Sequence, residues 1–188
     1  MELSNKTVAI AGVGGLGSNV ATLLTRMKIG KLILVDFDIV EDTNLNRQNF
    51  FIEHIGKSKV YACKDVLERF NRGTTIEIYN TKLDEDNIKN IFSDADIIVE
   101  AFDDVKEKAM IVNYVLLNMK SKYIVGASGI SGYKSNNLIK TKRVLEKFYL
   151  IGDFESNEEI AMYGPRVNIV ASMQANMVIR ILMGELNV

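Results

Sequence analysis

A glycine-rich segment, GVGGLG at residues 12–17, lies between an apolar run and a helical stretch. The preceding run, residues 7–11, is continuous and apolar, as a strand buried on both faces requires. Residues 18–27 follow with helical spacing. Glycines at such a junction let the backbone turn tightly and approach an anion, and the helix N-terminus directs N–H groups towards that anion. The segment therefore predicts a phosphate-binding loop, and a strand-to-helix turn without a ligand is the alternative.

Short apolar runs and longer helical stretches alternate along the chain. Further strands are predicted at residues 31–35, 74–79, 96–102 and 123–125, and helices at residues 59–70, 84–92, 105–119 and 168–183. Two shorter and more polar strands, residues 132–139 and 147–151, suggest an antiparallel addition. This order predicts an α/β fold, a Rossmann-like doubly wound and mostly parallel sheet with that addition in the C-terminal third. The length of 188 residues, with no evident linker, predicts one domain over residues 1–188.

Composition excludes several classes of protein. Lys and Arg total 23 against 24 Asp and Glu, so the formal charge of −1 gives no global electrostatic case for a nucleic-acid partner. One Cys cannot form an internal disulfide framework or a Cys-rich zinc site, and one His leaves few groups for nucleophilic triads. No apolar run approaches the roughly 20 residues that span a bilayer. With no signal-peptide pattern at the N-terminus, we expect a cytoplasmic protein without a membrane partner.

Asp36 supplies the second nucleotide-binding feature. It ends the second predicted strand, 24 residues after Gly12. A carboxylate at that place can accept hydrogen bonds from both ribose hydroxyls of a nucleotide. Alone, Asp36 is equally explained as a surface turn residue. Together with the glycine loop it predicts a site for adenosine and phosphates, without separating NAD from ATP.

The segment that follows Asp36 favours ATP. Residues 36–48 are polar, rich in amides and carry one arginine, Arg47. Amide side chains donate in fixed directions, and a guanidinium matches phosphate oxygens. A polyphosphate explains this loop better than a nicotinamide ring does. An NAD-dependent oxidoreductase stays open as a rival that shares the loop and Asp36, and a solvated loop is the structural alternative.

Five motifs in order carry a family resemblance. They are GVGGLGS, LVDFD, TNLNRQ, the second lysine of GKSK, and EAFDD, and they lie within residues 12–104. This combination resembles the ThiF/MoeB superfamily. The resemblance implies ATP-dependent adenylation, with Mg²⁺, of the C-terminal carboxylate of a ubiquitin-fold protein. The short length and the segments at residues 126–129 and 164–167 are most similar to the short ThiF-like sulfur carrier protein adenylyltransferases of thiamine biosynthesis, whose substrate is a ThiS-like carrier ending in Gly-Gly.

The same resemblance implies a role for each matching residue. In the glycine loop, Gly12, Gly14, Gly15 and Gly17 surround the nucleotide phosphates. Asp36 holds the ribose. Asn44 and Arg47 contact the triphosphate with Gln48 nearby, Lys59 reaches the α- and β-phosphates, and Asp103 binds Mg²⁺ through the phosphates, with Asp104 beside it. Arg47, Lys59 and Asp103 are the implied catalytic residues. Attack by a carboxylate needs no general base, because this group is already ionised near neutral pH.

Departures from the family define what else is expected. The CxxC pairs of many relatives are absent, so no structural zinc is predicted, and no Cys follows Cys63 to link covalently to a carrier. The N-terminal arginine of larger relatives is also absent, so another cation replaces it or none does. At the position of Asp104, relatives usually have Asn. One residue of the Asp103–Asp104 pair is expected to cap the next helix while the other binds metal. We expect a homodimer, as in related enzymes.

Three alternatives and one surface feature remain. The same chemistry could serve a different carrier, as in molybdopterin synthesis. The chain could be an NAD-binding oxidoreductase, or a nucleotide-binding partner without catalytic activity. Lys140, Lys142, Arg143 and Lys147 form a basic cluster that is either a solvated face or a docking site for an acidic carrier.

Overall fold

A seven-stranded sheet with helices on both faces forms the body of the protein. The computed structural model describes residues 3–156 and 161–188. The strands are β1 (Thr7–Ala11), β2 (Lys31–Asp36), β3 (Thr75–Asn80), β4 (Ile97–Glu100), β5 (Tyr123–Ala127), β6 (Lys140–Leu145) and β7 (Phe148–Gly152). The helices are α1 (Gly15–Arg26), α2 (Lys59–Glu68), α3 (Ile88–Ile91), α4 (Val105–Asn118) and α5 (Gly164–Leu182).

The strand order places a crevice at the centre of the sheet. The order is β3-β2-β1-β4-β5-β7-β6, and every neighbouring pair is parallel except β6 with β7. The chain builds outwards from β1 through β2 to β3, then returns to the other side of β1 with β4. Ligands of open α/β sheets bind at such a reversal, outside the carboxyl ends of the strands. The predicted doubly wound sheet with a C-terminal antiparallel addition is confirmed.

The apolar strands are continuous because both faces of the sheet are covered. Side chains of Val8 and Ile10 point into one buried cluster, and those of Ala9 and Ala11 point into another. The first cluster contains apolar residues of α1 and α5, and the second contains Ile111 and Val115 of α4. Successive strand residues face opposite sides of a sheet, so helices on both faces require this unbroken apolar pattern. None of the helices in residues 3–156 and 161–188 is long and apolar enough to cross a bilayer.

Two glycines set the close approach of α1 to the sheet. A Cβ on Gly17 would lie 1.9 Å from the carbonyl oxygen of Gly12. Gly12 itself has φ +89°, and a Cβ there would lie 2.8 Å from the carbonyl oxygen of Ala101 at the end of β4. Side chains cannot occupy either position without moving backbone. These residues therefore fix where the N-terminus of α1 stands relative to β1 and β4.

The strand predicted at residues 132–139 is wrong. This segment holds a short 3₁₀ turn, Asn136–Leu138, in which the Ser135 hydroxyl accepts a hydrogen bond from the N–H of Asn137. Gly132 has φ +75° and forms only an isolated bridge with Met162. Serine and asparagine side chains compete with a strand ladder by bonding to nearby backbone. The antiparallel partner of β7 is instead β6, which contains most of the basic cluster.

Two helices differ in extent from the predictions. α3 covers only Ile88–Ile91 of the predicted residues 84–92, because Asp84 and Asn87 bond to each other's backbone in a turn before it. α5 begins at Gly164, four residues before the predicted start at Asn168. Pro165 fits the first turn of a helix, where no intrahelical N–H bond is lost. The longer α5 brings Arg166 and Val167 to the carboxyl end of the sheet.

We predict that Gly17→Ala lowers the free energy of unfolding by about 3 kcal/mol or more, because the new Cβ overlaps the Gly12 carbonyl. Gly14→Ala is the matched control in the same loop. Its Cβ would meet no atom closer than 3.7 Å, the side-chain nitrogen of Gln48, so we expect a change within about 1 kcal/mol. Urea unfolding followed by circular dichroism measures both, and equal stability of the two variants would contradict this account of the loop.

Candidate functional site

A cleft of about 270 Å³ lies at the carboxyl ends of β1, β2 and β4. One wall is the glycine loop, and the other is the segment that follows β4. Nine of the eleven predicted site residues line it: Gly12, Gly14, Gly15, Asp36, Arg47, Gln48, Lys59, Asp103 and Asp104. The remaining two lie behind the lining, since Gly17 packs against Gly12 and Asn44 is buried in a turn. The parallel sheet thus brings together residues from five separate segments.

Asp36 holds the glycine loop in place. Its Oδ2 accepts a 2.6 Å hydrogen bond from the backbone N–H of Val13, and its Oδ1 accepts one of 2.8 Å from the N–H of Asp38. Burial raises the pKa of Asp36, while the Val13 N–H and the charge of Lys59 act in the opposite direction. A carboxylate has about four acceptor positions. Asp36 can therefore brace the loop and still accept a bond from a ligand in the cleft.

Lys59 is a buried cation at the start of α2. Its Nζ lies 2.7 Å from Oδ2 of Asp38, and its backbone N–H donates to the Asp38 carbonyl at 2.9 Å. A positive charge at a helix N-terminus opposes the helix dipole. Such a local conflict is typical of a functional position. The Asp38 carboxylate compensates this charge and holds the ammonium at the lining of the cleft.

The loop after β2 contributes polar side chains above the glycines. The Arg47 guanidinium donates to the Thr43 carbonyl at 3.0 Å and to Oδ1 of Asn46 at 2.9 Å. The Oε1 of Gln48 is buried and has no hydrogen-bond partner among the described residues. Buried oxygens of this kind usually have a partner, so this atom is available to a ligand. Asn44 instead closes its own turn, with its Oδ1 accepting from the N–H of Glu41 at 3.0 Å.

The two aspartates after β4 have separate environments. Oδ1 of Asp104 accepts from the N–H groups of Lys106 at 2.8 Å and Glu107 at 2.9 Å, so Asp104 caps α4. These bonds, chiefly that from Glu107, hold the pKa of Asp104 below its usual value. Asp103 makes no hydrogen bond or ion pair with the described part of the chain. The prediction that one of the pair caps the helix is confirmed, and Asp103 is left to face the cleft.

A second cavity, of about 410 Å³, adjoins the cleft. The two share four lining residues: Phe102, Asp103, Ile130 and Met162. The second cavity runs between α4, which contributes Lys108, and the loop after β5, which contributes Ser128 to Ser131. The cleft and the second cavity therefore meet at one carboxylate, that of Asp103. This geometry can hold two reactants, one on each side of Asp103.

Comparison of the sequence with protein families decides the family. The sequence model of the ThiF family matches residues 1–188. The chain belongs to the ThiF family. The resemblance to the ThiF/MoeB superfamily, drawn from five motifs, is therefore confirmed.

Curated ThiF-family relatives are longer than this chain. It is 50% identical over 79 residues to ubiquitin-like modifier-activating enzyme 5 of Caenorhabditis elegans, an alignment that covers 42% of this chain and 19% of that protein. It is 29% identical over 195 residues to the adenylyltransferase and sulfurtransferase UBA4 of Candida glabrata, covering 100% of this chain and 45% of that protein. The chain thus spans less than half the length of these relatives.

Solved structures of two Escherichia coli proteins share the fold. The tRNA N6-threonylcarbamoyladenosine dehydratase TcdA in complex with AMP superposes with a TM-score of 0.87 at 17% identity, covering 97% of this chain and 88% of TcdA. MccB with ATP gives a TM-score of 0.71 at 24% identity, covering 97% of this chain and 57% of MccB. At these identities the likeness establishes the fold alone.

Sequence reasoning missed part of the lining in this ThiF-family site. Thr81 and Leu83 line the cleft just after β3. Their position at the carboxyl end of a predicted parallel strand could have marked them, because ligands bind at that edge of such sheets. Ile130 and Met162 line both cavities from the C-terminal third. Nothing in their local sequence marks them, because only the fold of the chain brings them to the crevice.

A buried ion pair shapes the wall of the second cavity. Nη2 of Arg166 lies 2.6 Å from Oδ2 of Asp153, and their side chains are only 3% and 1% exposed. Nη1 of Arg166 donates to the Lys134 carbonyl at 2.8 Å. A Cβ on Gly129 would lie 2.1 Å from Oδ1 of Asp153, so the loop after β5 rests directly on this carboxylate. The pair therefore ties α5 to the loops that follow β5 and β7.

We predict that Arg166→Met lowers the free energy of unfolding by about 3–5 kcal/mol, because the Asp153 carboxylate is left buried without its cation. Urea unfolding at neutral pH measures the change. The double variant Arg166→Met/Asp153→Asn removes both charges and should recover part of the loss. If the double variant is less stable than the single one, the unpaired charge is not the cause.

Proposed function

We propose that this chain is an ATP-dependent adenylyltransferase that activates the C-terminal carboxylate of a ubiquitin-fold carrier protein. The observation that carries the proposal is the meeting of two cavities at Asp103. One is lined by the glycine loop, Arg47 and Lys59, as a triphosphate requires, and the other leads away from Asp103 and can admit a chain end. Binding of AMP by TcdA and of ATP by MccB on the same fold supports the nucleotide.

The residues of the cleft fit ATP with Mg²⁺. Gly14 has no side chain, and the atom nearest to a Cβ built there would be 3.7 Å away, so a phosphate can approach the backbone at this residue. Arg47 and Lys59 supply positive charge, and the buried Oε1 of Gln48 supplies an unused acceptor. Mg²⁺ needs few protein ligands when phosphates and waters complete its octahedron, so one carboxylate, Asp103, suffices. When bound, the metal supplies neutralisation of phosphate charge.

The proposed reaction transfers AMP to the carrier. A carboxylate oxygen of the carrier forms a bond to the α-phosphorus, and the bond from that phosphorus to the bridging oxygen of pyrophosphate breaks. Both the attacking group and the leaving group are anions, so catalysis rests on alignment and charge neutralisation by Arg47 and Lys59. The carboxylate needs no general base, because it is ionised at neutral pH.

The lone His and Cys are placed outside this chemistry. Nδ1 of His54 accepts from the Phe51 N–H at 3.0 Å, and its Nε2 lies 2.8 Å from Oδ2 of Asp65. These bonds hold the buried imidazole as a structural group in the loop before α2. Burial raises the pKa of the Cys63 thiol to about 12, so the reactive thiolate is scarce at neutral pH. The proposed transfer of AMP from ATP to the carrier carboxylate requires neither residue.

We propose a ThiS-like sulfur carrier ending in Gly-Gly as the partner, in thiazole formation for thiamine, with the enzyme acting as a cytoplasmic homodimer. The names of the relatives, a ubiquitin-like modifier-activating enzyme and an adenylyltransferase and sulfurtransferase, support this class of partner. A molybdopterin-type carrier is the alternative within the same chemistry. The net charge of −1 disfavours a tRNA substrate of the kind in the name of TcdA.

We predict that Arg47→Ala and Asp103→Ala each lower carrier-dependent exchange of labelled pyrophosphate into ATP at least about 100-fold, because each removes a charge that acts on the phosphates. Both side chains line the cleft rather than the apolar core, so thermal melting should change little. Arg72→Ala, at an exposed arginine outside the cleft lining, is the matched control and should keep full exchange.

Three results would count against this function. Full exchange activity in both cleft variants would refute the assigned roles. Stabilisation of the wild-type protein by NAD and not by ATP in a thermal-shift titration would favour the oxidoreductase. ATP binding without exchange, across a panel of purified carriers ending in Gly-Gly, would favour a nucleotide-binding partner without catalytic activity.

A further inference from the structure

Lys108 of α4 is a cation on the wall of the second cavity that the proposed chemistry has not used. Its Nζ lies 2.9 Å from Oε1 of Glu100 and 3.4 Å from the carbonyl oxygen of Ala127. The Lys108 side chain is 24% exposed, whereas that of Glu100 is 2% exposed. An ammonium has three N–H donors. Two are engaged on the buried side, and one is left for a ligand in the cavity.

Among the described residues, few charged side chains line this cavity. The remaining lining is apolar or small and polar: Phe102, Val105, Ala127, Ser128, Gly129, Ile130, Ser131, Ser156 and Met162. Within the described lining, Asp103 is the anion and Lys108 is the cation. Arg47 and Lys59 line the nucleotide cleft and not this cavity. Of these two charged groups, Lys108 is therefore the one that can donate a hydrogen bond to a carboxylate that enters the second cavity.

Glu100 holds Lys108 at this position. The same Oε1 that accepts from Lys108 also accepts from the Phe102 N–H at 2.8 Å, so the carboxylate is fixed to the backbone at the end of β4. A buried ion pair is a costly device compared with apolar packing. Here the pair keeps an ammonium of restricted motion at the cavity surface. Such a preset donor discriminates a charged ligand from a neutral one of the same shape.

We infer that Lys108 binds the terminal carboxylate of the acceptor chain and orients it beside Asp103 for attack on ATP. This inference rests on the proposed function. It assigns the binding of the acceptor carboxylate to a cation on the wall of the second cavity. Lys108 has a positioning and binding role, and it contributes no proton transfer.

The test compares two forms of one ThiS-type carrier that differ only at the last atom group, a Gly-Gly carboxylate or a Gly-Gly carboxamide. Dissociation constants are measured calorimetrically with a non-hydrolysable ATP analogue and Mg²⁺ present. Wild type should bind the carboxylate form about 10-fold tighter or more, as expected for a hydrogen bond to a charged group. Lys108→Met should reduce this ratio towards one, and Lys108→Arg should keep it.

A merely structural role would act differently, because damage to the cavity wall weakens both carrier forms equally and leaves their ratio unchanged. Lys108→Met also leaves Glu100 without its cation, so Lys108→Met/Glu100→Gln serves as a second variant in which both members of the pair are neutral. The same loss of discrimination is expected there, with unchanged affinity for the ATP analogue.

The outcomes separate the inference from the proposed function. If wild type exchanges pyrophosphate with the carrier but Lys108→Met and the double variant still prefer the carboxylate form as strongly, the inference is overturned alone. If wild type supports no exchange with any carrier ending in Gly-Gly, the proposed function fails, and the inference fails with it.

Discussion

The hydrogen bond from the Val13 N–H to the Asp36 carboxylate joins the elements on which the cleft depends. Asp36 ends β2, Val13 lies in the loop between β1 and α1, and Asp38 continues the contact to Lys59 at the start of α2. One buried carboxylate therefore sets the glycine loop, the loop after β2 and a buried cation in a fixed relation. Burial raises the pKa of this carboxyl, and the surrounding donors offset only part of that rise. The proposed phosphate site is the part of the cleft that lies between the glycine loop and Lys59.

A second relation follows from the way the chain leaves β4. Asp104 caps α4 with its carboxylate. Its neighbour Asp103 lies at the junction of the two cavities. The same helix places Lys108 one turn further along, on the wall of the second cavity. The pair Arg166–Asp153 supports the opposite wall from α5. The proposed nucleotide cleft and the proposed acceptor cavity thus lie at the same carboxyl edge of the sheet, and each is lined by at least one basic side chain.

Sequence patterns predicted the parts of the protein that follow local rules. The central residues of β1, β2 and β4 are apolar because both faces of the sheet are buried. Gly12 and Gly17 in the loop occupy positions where a Cβ would overlap backbone atoms. The patterns failed at β6, an edge strand whose exposed basic residues carry no apolar period. They also missed the pair Arg166–Asp153 and the wall residue Ile130, since such contacts join segments that are distant in sequence. A site at the point where the strand order reverses can be located from sequence. The residues of its second wall can be identified only from the folded structure.

The central claim is that one cleft binds a triphosphate and presents it to a foreign carboxylate at Asp103. The most direct measurement is a crystal structure of the protein with Mg²⁺ and a non-hydrolysable ATP analogue. The account predicts the phosphates on the N–H groups of the glycine loop, with Arg47 on the polyphosphate and Asp103 at the metal facing the second cavity. A nucleotide whose phosphates point away from the loop, or a metal bound remote from Asp103, would contradict it.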